Sequence, residues 1–454
     1  MTRVATQTDS SVRSAPLGFW MATALVVGNM IGSGIFLLPA SMAPFGADNL
    51  SGWILTALGA ITLSLVFARL SRALPGAGGP YAYTREAFGD LAGFTVAWGY
   101  WVAVWVGNAA IAVGAVGYLG EFAPWLVETP VHSALATLGV LWALTLVNCA
   151  GVRAAGWVQS VTTVLKLLPL AGVIVLLFDR LPTFAWPAPA DLRFSLDGTA
   201  AAATLALWAM LGLESATVPA DKVRNPARTI PRATLWGTAF TAVLSAVACG
   251  AVLLLVPAER LAGSNAPFAE LMMDVWGSGA ARAVSLFAAI SALGALNGWI
   301  LLQGELPLAM ARDGLFVRAF ARTSSRGTPV TSLVASSALV TVLVLFNMNR
   351  SLVGVFTFFV LLATTANLVA YLASALALLR LRVRAGGGSR TGPTAIGAIA
   401  VLGAVYSLGA LAGAGKDAVL WGLVLLLAGL PVYWVLRRRM HRGRVPDCDA
   451  RHGS

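Results

Sequence analysis

The sequence predicts an all-α integral membrane protein with 12 transmembrane helices, arranged as a 5+5 inverted repeat followed by two extra C-terminal helices. Three observations predict it. The first is composition: 58% of the 454 residues are hydrophobic and 11% are charged, with a mean hydropathy of +0.80. A soluble domain carries roughly 25% charged residues, so this chain could not cover its own surface in water. A soluble enzyme, a disordered regulator and a nucleic-acid-binding domain are thereby excluded. The second is that the apolar residues fall in continuous runs of the ~20 residues that cross a bilayer as a helix. The third is a charge asymmetry. Of the 31 Lys and Arg residues, 24 fall in alternate loops on one side and six on the other, with Lys166 inside a run. Cations of short loops stay cytoplasmic, so both termini are expected inside.

The runs lie at about 17–40, 52–73, 92–120, 131–149, 157–178, 199–218, 233–256, 283–310, 329–348, 351–379, 394–412 and 417–436. They are continuous rather than alternating, and an open sheet edge cannot face lipid, so strands are excluded. Residues 1–15 form a polar tail with Arg3 and Arg13 and no apolar core after Met1, and are not expected to be a cleavable signal. Residues 16–180 hold the first five spans and 199–380 the next five, with 394–436 outside the repeat. The basic tail, residues 437–454, reads as a stop-transfer and headgroup anchor, not as a nucleic-acid patch.

The first span, VGNMIGSGIFLLPA, carries Gly32-Ser33-Gly34 at its centre. Glycine costs about 1 kcal/mol against alanine inside a helix. Two readings are open: an unwound stretch exposing backbone to a polar ligand, or a small-residue contact between helices. The sixth span repeats the pattern with Gly212, Glu214 and Ser215-Ala216-Thr217 ahead of Pro219. Interruptions at matching places in two five-helix halves mark a midplane site between inverted repeats. Half-helix N-termini there would favour a substrate with a carboxylate or similar small polar head.

Three formal charges fall inside spans: Lys166, Glu214 and Glu305. Each costs a few kcal/mol at bilayer depth and points to a pathway or relay. Glu305 also has a plain reading, because it lies near the inner end of its span just before Pro307 and there reaches water. Cys149, Cys249 and Cys448 make no disulfide framework, and His132, His441 and His452 are too scattered for a metal site, so no cofactor or metal is expected. GAGK at Gly413–Lys416 has Ala410 and Asp417 where a phosphate loop needs Gly and Ser/Thr. Without an ATP site, transport must run on gradients. No nucleophile–base pair appears, so an enzyme is not expected.

The strings GNMIGSGIFLLPA, PGAGGPYAYTREAFG, YWVAVWVGNAA, LWAMLGLESATVPADKVRNPARTIPRA, ALNGWILL and ARDGLF resemble the amino acid–polyamine–organocation superfamily. The likeness, strongest to its basic amino acid/polyamine antiporters and among these to the arginine/agmatine exchangers, runs from about Pro16 to Arg438. It implies a LeuT-like fold, residence in the cell inner membrane and alternating access. It also implies an amino acid or amine as the small-molecule partner, the lipid bilayer as surroundings, no nucleic acid, and a homodimer as an open option.

By position, the resemblance places the substrate carboxylate at Met30, Ser33 and Gly34. An aromatic lid maps to Trp208 and a second tryptophan to Trp299; Leu211 also faces the pocket. The distal end of the substrate would meet Ala103, Val104, Asn108, Ile111 and Ala363. An inner gate maps to Tyr100, Glu214 and Tyr371, and a pH-linked tyrosine to Tyr81. An aromatic face within ~6 Å holds an ammonium or guanidinium well, and Asn108 offers an amide oxygen. The plainer readings are interfacial tryptophans and a helix-bridging Asn108.

Two departures stand out. Val104 and Ala363 replace a cysteine and a serine of the arginine/agmatine exchangers, removing two polar contacts from the distal end. Lys166 replaces an alanine and matches the fifth-span lysine of proton-coupled permeases in the superfamily, where it stands in for sodium. The sequence is thus expected to encode an amino acid/polyamine antiporter. A proton-coupled permease or exporter for neutral amino acids is the alternative.

Overall fold

The structure, a computed structural model, describes residues 17–443 except 33, 77, 151–164, 184–192, 219, 221–222, 326 and 385–392. The first span is two helices, α1 (Phe19–Met30) and α2 (Gly34–Met42), followed by α3 (Asp48–Ala73). A short amphipathic helix, α4 (Gly79–Phe88), precedes α5 (Asp90–Leu119) and α6 (Pro130–Ala150). Of the fifth span the described part is α7 (Leu167–Arg180), with Lys166 at its start. Then come α8 (Leu196–Leu207), α9 (Pro226–Leu255), the single turn α10 (Ala258–Ala262) and α11 (Pro267–Arg312). The chain ends in α12 (Val330–Phe346), α13 (Leu352–Arg384), α14 (Pro393–Gly413), α15 (Lys416–Leu427) and α16 (Gly429–Gly443).

Among the described residues, nine helical stretches are long and apolar enough to cross a membrane, and Val330–Phe346 is a shorter apolar helix. Among the described residues no strand forms beyond a lone bridge between Leu17 and Val223. Large apolar side chains point outward on the lipid side, among them Leu50, Ile54 and Leu58 of α3 and Trp236, Phe240 and Val243 of α9. A helix that is apolar all round belongs inside. This is α5, buried along nearly its whole length.

Two packing groups result. In one, α1 lies along α9, α9 along α3, and α3 along α8. In the other, α5 packs against α11 and α13. Small residues set the close approaches. A Cβ on Gly237 of α9 would lie 2.8 Å from Val26 of α1, and one on Gly52 of α3 would lie 2.7 Å from Ala202 of α8. On Gly59 it would enter the ring of Tyr406, which seats α14 on α3.

The first half of the sixth span, α8, is bonded along its length. Ser195 caps it by accepting from the Gly198 N–H at 2.9 Å. Asp48 accepts from the Ser195 N–H and hydroxyl at 2.8 and 2.9 Å and from the Thr199 hydroxyl at 3.1 Å. Thr56 donates to the Ala203 carbonyl at 2.7 Å, and Thr204 donates to the Ala410 carbonyl of α14 at 2.8 Å.

The structure adds to the expected spans at three places. Residues 79–88 form a helix although they are not apolar; Gly78, at φ +113, and Pro80 at its first turn start it. The eighth span is extended at its N-terminal end to Pro267, with Gly277 at φ 76 and ψ −173 dividing the stretch. The twelfth consists of α15 and α16 joined at Ala428.

Candidate substrate site

Both interruptions are real breaks. α1 stops at Met30, Ile31 takes φ −79 and ψ 76, and α2 starts at Gly34. After α8 the chain makes one 3-10 turn at Trp208–Met210 and an extended Leu211. Gly212 follows at φ +101, and a second turn runs over Ser215–Thr217. Gly212 supplies a left-handed backbone that a side chain would strain. The two breaks touch: a Cβ on Gly212 would lie 3.1 Å from Asn29 Cβ, and Asn29 Nδ2 donates to Ser215 Oγ at 2.9 Å. Among the described residues an α-helix starts directly after the first break, at Gly34, and a 3-10 turn follows the second.

A cavity with about 510 Å³ of atom-free space, its mouth included, opens between the breaks and α5. Of the residues singled out from sequence, Met30, Tyr100, Ala103, Val104, Ile111, Trp208, Leu211 and Trp299 line it. The wall of Trp208 rests on a glycine: a Cβ on Gly107 would lie 3.2 Å from its ring. Ser33 lies outside the described residues, and Gly34 opens α2 next to the lining residues Gly32 and Ile35.

Asn108 and Ala363 are placed elsewhere. Asn108 is fully buried, and its Nδ2 donates to Gln303 Oε1 of α11 at 2.8 Å, while Gln303 donates to Ser337 of α12 at 2.9 Å. It bridges helices. Ala363 is fully buried behind the lining, 3.9 Å from where a Gly107 Cβ would sit.

Beyond the lining, the Tyr371 hydroxyl donates to Glu214 Oε2 at 2.6 Å, and both side chains are buried. Tyr100, which lines the cavity, faces the same carboxylate. Glu214 Oε1 has no hydrogen-bond partner. Lys166 is buried, and its ammonium donates to the Gly28 carbonyl of α1 at 2.6 Å. Glu305 is half-buried on α11, as its position before Pro307 suggested.

Tyr81 lies outside the cavity, on α4. Its hydroxyl donates to Asp313 Oδ2 at 3.1 Å and accepts from Arg85 at 3.2 Å, while Arg85 pairs with Asp90 at 2.7 Å. Burial first, and the Asp313 carboxylate second, push the phenol up to about 12.

A profile of the amino acid permease family matches residues 17–436 of this chain. The chain belongs to that family. This permease is 33% identical to a putative arginine/ornithine antiporter of Bacillus subtilis (strain 168) over 92% of its own length and 96% of the relative's. It is 36% identical to the cadaverine/lysine antiporter of Escherichia coli (strain K12) over 72% and 74% of the two chains. It is 32% identical to the putrescine transporter PotE of the same strain over 95% and 98%. The permease is therefore a multi-pass membrane transporter whose relatives are antiporters and transporters of amino acids and polyamines.

Sequence reasoning passed over five lining residues of the permease: Asn29, Ile35, Gly107, Ala209 and Asn367. Asn29 stands inside the motif GNMIGSG itself. Gly107 falls three after Val104 and four before Ile111, and Asn367 falls four after Ala363 and four before Tyr371. Helical spacing puts such residues on one face.

Proposed function

We propose that this permease is a secondary transporter that exchanges amino acids and polyamines by alternating access, in the manner of arginine/agmatine antiporters. In this reading it has twelve spans in a 5+5 inverted repeat, sits in the cell inner membrane and keeps both termini cytoplasmic. The observation that carries the reading is the meeting of two broken spans at an aromatic-walled cavity, with Trp208, Trp299 and Tyr100 in its lining. The N-terminus of α2, opening at Gly34 beside the break, serves the amino acid's polar head, and the rings serve its cationic end. The relatives' named substrates are all amines with a second cationic group, which supports the same class. The outer side of the cavity closes when Trp208 folds over the substrate, and the inner side closes through Tyr100, Glu214 and Tyr371.

A second reading, a proton-coupled permease or exporter of neutral amino acids, draws on the apolar Val104 in the lining and on buried Lys166. Proteoliposomes decide between them. Labelled arginine, agmatine, ornithine, putrescine, leucine and alanine are offered with and without internal counter-substrate. Uptake of the cationic amines that requires an internal amine supports exchange. Leucine or alanine entering empty vesicles down a proton gradient supports the second reading and sinks the first.

A further inference from the structure

The lining of the cavity contains one side-chain amide oxygen that nothing in the protein satisfies. Asn367 of α13 is 2% exposed, and its Oδ1 has no hydrogen-bond partner. A buried amide oxygen without a partner is destabilising, and such groups in native proteins call for an explanation. Three groups that could have answered it do not. The Tyr371 hydroxyl, one turn along α13, meets the nitrogen side of the amide and gives its own proton to Glu214. The Asn29 amide, also in the lining, donates to Ser215. The Asn108 amide, which the sequence suggested for this task, is held by Gln303 away from the lining.

The position of Asn367 gives its role. It sits between Ala363 and Tyr371 on the face of α13 that packs against α5, and a Cβ on Gly99 of α5 would lie 3.5 Å from the carbonyl of the neighbouring Ala366. Tyr100 and Ala103, one position and one turn further along α5, share the lining. This wall is separate from the α1 break and from the N-terminus of α2 that opens at Gly34. Among the described lining residues there is no Asp or Glu. A cationic side chain entering here is met by aromatic rings and by a neutral amide.

We propose that Asn367 is a specificity-determining residue of this permease, whose Oδ1 accepts from the side-chain nitrogen of a cationic amino acid or diamine. The proposal rests on the exchange reading above and deepens it by naming the group that selects an amine over an alkyl side chain. An alkyl chain leaves the amide unsatisfied, and an ammonium or guanidinium satisfies it. Sites built to bond a polar group reject the analogue that lacks it for this reason.

The test is equilibrium binding to the purified full-length permease, with labelled arginine, ornithine and putrescine set against leucine. Leucine keeps the α-carboxylate and α-amine and lacks the distal nitrogen. Asn367→Leu should weaken the three cationic ligands about tenfold, the effect of one lost hydrogen bond to a charged group, and leave leucine unchanged. Asn367→Asp, nearly the same size, should tighten putrescine and ornithine relative to leucine; it also serves if the leucine variant does not fold. Equal weakening of leucine and the cations would place Asn367 at the carboxylate end or in the structure alone and overturn the proposal. So would unchanged binding of the cations by either variant. Wild-type permease that binds none of the amines overturns the exchange reading and the proposal together. Wild-type binding with an unselective Asn367 variant overturns the proposal alone.

Discussion

The Lys166 ammonium donates to the Gly28 carbonyl at 2.6 Å, so the one cation inside the fifth span is tied to the helix that breaks three residues later. A charged lysine at bilayer depth costs about 2.5–3.5 kcal/mol on insertion scales. A carbonyl close to a helix end offsets part of that. Any change in the charge of Lys166 then changes how firmly the break is held. Lys166→Met should therefore abolish the pH dependence of net uptake while leaving one-for-one exchange in place. Proteoliposomes with a clamped internal pH separate the two. A parallel fall of both activities at every pH would assign Lys166 a purely structural role.

Trp208 stands against Gly107, with no room for a Cβ beyond 3.2 Å. Replacing the ring by leucine removes a cation–π partner, an effect of roughly 0.5–2 kcal/mol, or about twofold to thirtyfold in affinity. Trp208→Leu should bind arginine or ornithine more weakly by that factor and elute from gel filtration as wild type does. Gly107→Leu should block binding altogether, since its side chain fills the space under the ring. Normal binding by the Gly107 variant would show that substrate does not enter this cavity.

The Tyr371–Glu214 bond ties α13 to the second break. Removing the phenol oxygen leaves a buried carboxyl group without its donor, at a cost of about 1–3 kcal/mol. Tyr371→Phe should lower the unfolding temperature in detergent, Glu214→Gln should do so less, and the double variant should not add. Strict additivity across that cycle would mean that the two groups do not interact in the folded protein.

Tyr81 bears on pH in a different way. Its phenol is pushed up to about 12 by burial and by Asp313, above the ordinary value of about 10. A raised value in the folded state means that the contribution of the neutral phenol is complete below about pH 10 and is lost as pH rises through 12. Between pH 6 and 9 Tyr81 therefore remains a donor to Asp313. The stability difference between wild type and Tyr81→Phe should be constant across that window, measured by thermal unfolding. A difference that changes within it would mean that Tyr81 itself titrates there.

The spans were legible because each is a continuous apolar run, and the breaks because glycine and polar residues interrupt two of them at Gly32 and Gly212. Much of the cavity lining followed from the same positions. What the sequence withheld depends on long-range partners. Asn108 and Asn367 are both asparagines on buried faces of apolar helices. Gln303, 195 residues from Asn108, takes the N–H of the first, while the Oδ1 of the second has no partner beside the cavity. The helix at residues 79–88 escaped notice because it is too polar to register as a span, although Gly78 and Pro80 announce its start.

The first half of the sixth span, α8, is bonded to α3 through Asp48, Thr56 and the Gly52 contact, and to α14 through Thr204. A helix held at so many points cannot slide past its supports; it travels with them as one lever. The pivot then falls on Leu211–Glu214, where the backbone leaves the helical path at a glycine with φ +101. α14 gains a mechanical part through this connection: by gripping α8 it leaves a four-residue turn against Asn29, beside the cavity, as the place where this stretch is free to bend.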